Sequence, residues 1–148
     1  MIKFFYTLFF LVLSSSAASG IGFARLIEDD SFVKDRFLGG LEINLKLSQG
    51  VPYKMRFLEE PLSLIIDFNV LSFNGTDLQN LNRSKNVKLI EFEKLSSNWS
   101  RISIQFRNYW TIENTEMRID SNDGSAIISI LLNSVTEDDF KSKILNAD

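Results

Sequence analysis

An all-β sandwich of two antiparallel sheets, with seven to eight strands related by a pseudo-twofold and a short C-terminal helix, is the fold this sequence predicts. Three observations predict it. Apolar residues recur at every second position through most of the chain, turn signals separate the alternating runs, and the period changes only near the C-terminus.

Ahead of the alternating runs, "MIKFFYTLFFLVLSSSAASG" carries a cation at Lys3, an apolar run from Phe4 to Leu13 and small residues at Ser16 and Ala18. That order is the order of a secretory signal peptide, with cleavage expected after Ala18 and Gly20 as the alternative. A spanning helix needs roughly 20 apolar residues, twice what this run offers. Residues 1–18 are therefore expected to be removed, leaving an exported chain with no membrane span.

"FARLIEDDSFVKDRF" gives one or two short strands that end at Gly39-Gly40. In "LEINLKLS", Leu41, Ile43, Leu45 and Leu47 share one face, and Glu42, Asn44, Lys46 and Ser48 the other. After Gly50-Val51-Pro52 the alternation resumes, with Tyr53, Met55 and Phe57 inward and Lys54 and Arg56 outward. "PLSLIIDF" then sets Leu62, Leu64, Ile66 and Phe68 against Ser63, Ile65 and Asp67. Short links join these three runs, so they are expected to pair as a meander.

A polar stretch from Asn69 to Asn86 forms the longest connection. Beyond it lie Val87 to Leu95, Trp99 to Phe106, Trp110 to Asp120 and Ser125 to Leu132, the last two joined by Asn122-Asp123-Gly124. Asp-Gly supplies the positive φ that a tight turn needs. A single open sheet of this size would leave an apolar face in water, and two packed sheets or a closed barrel remove the problem. In "TEDDFKSKILNAD" the period lengthens. Thr136 is placed to cap, Glu137, Asp138 and Asp139 load the first turn, and Phe140 and Ile144 lie one turn apart. Residues 24–134 thus form the sandwich and 135–148 a helix or the start of a linker.

The halves echo one another. "PLSLIIDF" and "WSRISIQF" align without a gap, with Leu64 on Ile102, Ile66 on Ile104, Phe68 on Phe106, Ser63 on Arg101 and Asp67 on Gln105.

Composition narrows the function. The 148 residues include no Cys and no His, and the formal net charge is −3. The core must hold an exported fold without disulfides, and an acidic chain is a poor partner for nucleic acid. No cofactor or metal is expected, because zinc chemistry without imidazole or thiolate would rest on carboxylates alone. The doublets Asp29-Asp30 and Glu59-Glu60 point to opposite faces of an extended chain and read as turn acids rather than catalytic pairs. Asn-x-Ser/Thr triplets at Asn74, Asn82 and Asn98 read as chance.

The order "LSQGVPYKMRFLEEPLSLIIDF", then "WSRISIQF", resembles the AMIN domain at the N-terminus of exported bacterial N-acetylmuramoyl-L-alanine amidases. Carrying the resemblance are Ser48-Gln49, Val51-Pro52-Tyr53, Phe57, Pro61 and the aliphatic run closing on Asp67-Phe68. One departure is Ser63, where the family commonly has a basic residue. The resemblance implies a periplasmic, non-catalytic module that binds peptidoglycan and localises an amidase, with the zinc amidase domain missing from this chain. Cell-division or envelope proteins are further partners it implies. A structural domain of an envelope machine such as a secretin complex is the alternative.

For such a polymer, aromatic rings stack on sugar faces and cations meet lactyl and peptide carboxylates. The residues expected to do this are Arg101 with Trp99 and Arg107, Tyr53 with Lys54 and Arg56, and Trp110. Arg101 reads as an exposed strand cation, whose removal would leave stability nearly unchanged.

Overall fold

The computed structural model describes residues 22–146, so the expected signal peptide lies outside the described residues. The strands are β1 (Ala24–Arg25), β2 (Phe32–Asp35), β3 (Leu41–Leu47), β4 (Tyr53–Leu58), β5 (Ser63–Asn69), β6 (Leu71–Ser72), β7 (Asn82–Arg83), β8 (Val87–Lys94), β9 (Trp99–Phe106), β10 (Trp110–Ile119) and β11 (Ala126–Ser134). Helix α1 (Glu137–Leu145) follows, and short 3-10 turns occupy Glu28–Asp30 and Leu78–Leu81. Two sheets form the sandwich, one ordered β10-β11-β3-β2-β7 and the other β4-β5-β9-β8, while β1 and β6 make a small parallel pair at one end. The sheets are antiparallel except where β7 lies parallel to β2.

Alternation does what period two requires. Leu41, Ile43, Leu45 and Leu47 on β3 and Ala126, Ile128, Ile130 and Leu132 on β11 are buried. They join Leu64, Ile66 and Phe68 of β5 and Ile102, Ile104 and Phe106 of β9 in one core. Each such side chain contributes about 1.5–3 kcal/mol on burial, which is how the fold does without a disulfide.

The meander is not formed. Its first run, β3, pairs with β2 and β11, and only β4 and β5 make the expected hairpin. At Gly50-Val51-Pro52 the chain turns a corner from one sheet to the other, with Val51 buried in the bend. Alternation reveals which face of a strand is apolar, and β3 meets that demand equally well in either sheet. The strand count rises from the expected seven or eight to eleven: the polar connection from Asn69 to Asn86 holds β6 and β7 as well as a 3-10 turn, and the segment ahead of Gly39-Gly40 forms both β1 and β2. Leu78 and Leu81 anchor that connection in the core. Asp77 caps its 3-10 turn at Gln79 N, and the Glu28 carboxylate accepts from Asp77 N and Asn80 Nδ2.

The sequence echo has a geometric counterpart. Across β5 and β9 the pairs are Leu64 with Ile104, Ile65 with Ser103 and Ile66 with Ile102. The gapless alignment instead matches Leu64 to Ile102 and Ile66 to Ile104. Both hold at once when a local twofold axis passes between Ile65 and Ser103, normal to the sheet.

Helix α1 closes the side of the sandwich between β4 and β10. Thr136 accepts from Asp139 N as its cap, and Phe140 packs on Phe57 and Tyr109 at ring separations of 5.6 and 5.2 Å. Lys141 ties the helix to Glu59 at 3.4 Å.

Gly40 opens β3 with φ of 95°, and an added Cβ would stand 2.9 Å from the Leu132 carbonyl oxygen. Backbone there cannot yield as a side chain tip can. Gly40→Ala is expected to cost about 1–3 kcal/mol, seen as a lower urea midpoint with an unchanged slope.

Candidate sheet face and aromatic groove

The outward face of the four-stranded sheet collects most of the expected residues. Strand register lines them up in rows: Leu58, Ser63, Gln105 and Leu89; Arg56, Ile65, Ser103 and Glu91; Lys54, Asp67, Arg101 and Glu93. Lys54 and Arg56 thus run along β4, Arg101 and Trp99 along β9, and Glu91 and Glu93 along β8. The face is cationic on one flank and acidic on the other.

At its centre Arg101 grips Asp67. Nε donates to Oδ1 at 2.6 Å and Nη2 to Oδ2 at 3.0 Å, a two-pronged pair in which the Asp67 side chain is only 6% exposed and that of Arg101 21%. The Arg101 hydrogen bonds hold the Asp67 carboxyl below the usual carboxylate range, against the opposing effect of burial, and the charges of Arg101, Lys54 and Arg56 add to it. Arg101 is therefore not the free cation the sequence suggested. Its planar fork is committed to a buried partner, and what it offers outward is an edge of the guanidinium. The gapless alignment had set Ser63 against Arg101. In the folded sheet Ser63 faces Gln105 and donates to the Pro61 carbonyl, 2.8 Å away.

Lys54 and Arg56 make no ion pair among the described residues. The Lys54 ammonium sits 5.2 Å from the centre of the Trp99 ring, within range of a cation–π contact. Trp99 stands where the face meets a groove of about 380 Å³, lined by Phe73, Phe92, Arg25, Lys94, Asn74 and Asn98 among others. The rings of Phe73 and Phe92 lie 4.8 Å apart, tilted by 49°, and Phe92 is 45% exposed although it lies on the inward side of β8. Beside the groove Val70 takes φ of 49°, unusual for a β-branched residue, and is pinned through its N–H to Asn98 O and its carbonyl to Ala24 N.

Three expected residues lie elsewhere. Trp110 is buried against Phe106, with its indole N–H unpartnered among the described residues, so it packs the core. Tyr53 faces inward at the sheet edge, its ring 6.3 Å from Phe68 and its hydroxyl 3.5 Å from that of Thr115. Arg107 is exposed just past the far end of β9 from Trp99, where its Nε donates to the Lys85 carbonyl. Alternation did not reveal Phe73, Phe92, Asn74 and Asn98 as neighbours of Trp99. Asn74 and Asn98 were visible only as triplet asparagines, and Phe92 alternates as a core residue should.

Among the described residues no group of three or more His, Cys, Asp or Glu is arranged to hold a metal ion. No helix among them is long and apolar enough to cross a membrane. The face and groove offer an aromatic ring, hydroxyls, amides and the cations Lys54, Arg56, Arg25 and Lys94, none of them ion-paired among the described residues, which is chemistry suited to binding. No curated protein sequence matches the chain. The family model of the AMIN domain matches residues 34–130, from β2 through most of β11. The chain therefore belongs to the AMIN domain family, non-catalytic peptidoglycan-binding modules found in amidases and secretins.

Proposed function

We propose that this chain is the peptidoglycan-binding and localisation module of a periplasmic N-acetylmuramoyl-L-alanine amidase, exported through a cleaved signal peptide at residues 1–18, with residues 24–134 as the binding domain. It holds the polymer and leaves the hydrolysis to a separate zinc domain. The observation that supports this reading is the position of Trp99, at the junction of the cationic β4 flank and the aromatic groove. A sugar ring stacked on Trp99 would place its hydroxyls and acetamide toward Asn74 and Asn98. Its lactyl or peptide carboxylates would then lie toward Lys54 and Arg56, which make no ion pair among the described residues.

Co-sedimentation with purified sacculi tests it. Trp99→Ala is expected to weaken binding about tenfold, in line with loss of one aromatic anchor, and Lys54→Ala/Arg56→Ala to weaken it and flatten its salt dependence. Binding equal to the parent in both variants would place the polymer on another face. Sedimentation only when envelope proteins are added would favour a structural role in an envelope machine.

A further inference from the structure

Strand β10 ends the five-stranded sheet, and no described strand pairs with its outer edge. Its first part is covered, but from Glu113 to Ile119 every residue is exposed. Soluble proteins blunt such edges with Pro, Lys or a bulge within the run, because a bare edge recruits another strand. Asn114 to Ile119 has no Pro, Lys or bulge, and its two charges, Glu116 and Arg118, are of opposite sign and so can complement a second strand rather than repel it. Its one irregularity falls at the start, where the register shifts between Ile112 and Asn114 and Arg36 clamps Glu113 at 2.6 Å. At its end Asp120 N–H bonds to Ser125 O in the turn to β11. That bond fixes which backbone groups are free. Asp120, Arg118, Glu116 and Asn114 direct theirs to β11, so Thr115, Met117 and Ile119 direct theirs to the open edge.

The middle of these three edge-directed residues is Met117. We propose that β10 pairs antiparallel with β10 of a second copy of this chain, about a twofold axis at Met117, joining two five-stranded sheets into one. In that register Met117 faces its own counterpart and Thr115 faces Ile119, so the outward-directed backbone groups of all three residues are satisfied by the partner. Charge selects the same register. Glu116 falls opposite Arg118 on both sides of the axis, converting the 3.5 Å pair that the two residues make within one chain into a square of four alternating charges. Centring on Glu116 would oppose two carboxylates, centring on Thr115 would run into the bulge, and centring on Ile119 would run into the turn. The apolar side agrees. Met117 and Ile119, 37% and 59% exposed, lie inward of the sheet in an open groove with Gly50, Val51, Pro52 and Tyr53, and the partner's Met117, directly opposite Met117, would enter its edge.

So short a contact is below the usual size of a stable interface, and the dimer is a weak one. Sedimentation velocity of the purified full chain, from micromolar to about millimolar concentration, is expected to show the mass rising from one chain to two. Glu116→Arg places Arg opposite Arg, and Arg118→Glu places Glu opposite Glu; each is expected to weaken self-association about tenfold or more. Mixing the two variants in equal amounts pairs Arg with Glu at both positions and restores a dimer. Parent chain that stays monomeric throughout, as it would if β10 serves a different protein, overturns the proposal. So does a dimer indifferent to either substitution, or variants that fail to pair when mixed while each keeps the parent's circular dichroism and melting temperature.

Discussion

Ile104→Asp is expected to leave the chain unfolded at 25 °C. Ile104 is 1% exposed on β9, an inner strand of its sheet, flanked by Leu64 of β5 and Ile90 of β8. Losing its burial removes about 1.5–3 kcal/mol, and a carboxylate placed there has no partner, a further cost of several kcal/mol. Together these rival a whole domain's stability of about 5–15 kcal/mol, and the chain has no cysteine with which to restrain its unfolded state. Ile104→Val, which keeps the shape and loses one methylene, should cost only about 0.5–1.5 kcal/mol. Circular dichroism and a urea titration distinguish the two. A cooperative transition near that of the parent in Ile104→Asp would mean that β9 does not form the centre of the core.

Arg101→Ala is expected to destabilise the fold by about 2–3 kcal/mol. That corresponds to a drop in Tm of roughly 10 °C for a domain of this size. The cause is the buried Asp67 carboxylate left behind. Removing both partners in Asp67→Ala/Arg101→Ala should cost less than the sum of the two single changes, because the second removes the orphan created by the first. The pH dependence has a definite sign. Asp67 is held below the ordinary range by Arg101, so the stabilisation is complete above the unfolded aspartate value of about 3.9 and is lost as pH falls through the lowered folded value. The gap between parent and Arg101→Ala should therefore narrow in acid and stay constant from pH 5 upward. An unchanged Tm at neutral pH would show the pair to be a surface contact of little energetic weight.

The Asp67–Arg101 pair also marks where the sequence stops being legible. Alternation in Leu41 to Leu47, Ser63 to Asn69 and Trp99 to Phe106 identified the buried face of each strand, because burial on one side is imposed residue by residue. Which strands become neighbours is decided by packing across the whole chain. Thus β3 went to the opposite sheet from β4, and Asp67, four residues from Ser63, became the partner of Arg101. Ser63 and Asp67 are almost fully buried although they lie on the outward face of β5. A central strand lies under the longer side chains of both neighbours, which a strand read by itself does not reveal.

The candidate site was legible in part for the same reason. Lys54, Arg56, Trp99 and Arg101, chosen for their aromatic and cationic chemistry, occupy outward positions in their own strands, and the sheet then brought them together. Trp110 also begins a strand, but it sits where α1 and β4 close over the open side of the sandwich, and this long-range contact buries it. The aromatic groove depends on β1, β6 and the β8–β9 turn converging at one end, a juxtaposition with no local signature.

The chain has two tryptophans, one at the candidate surface and one in the core. Titrating the 15N-labelled chain with soluble peptidoglycan fragments and following the two indole N–H resonances therefore compares the site with an internal control. The proposed function predicts that the Trp99 indole shifts progressively and saturates, together with the backbone amides of Lys54 and Arg56, while the Trp110 indole stays in place. Saturable binding that leaves Trp99 and β4 unmoved, or no binding at all, would contradict it.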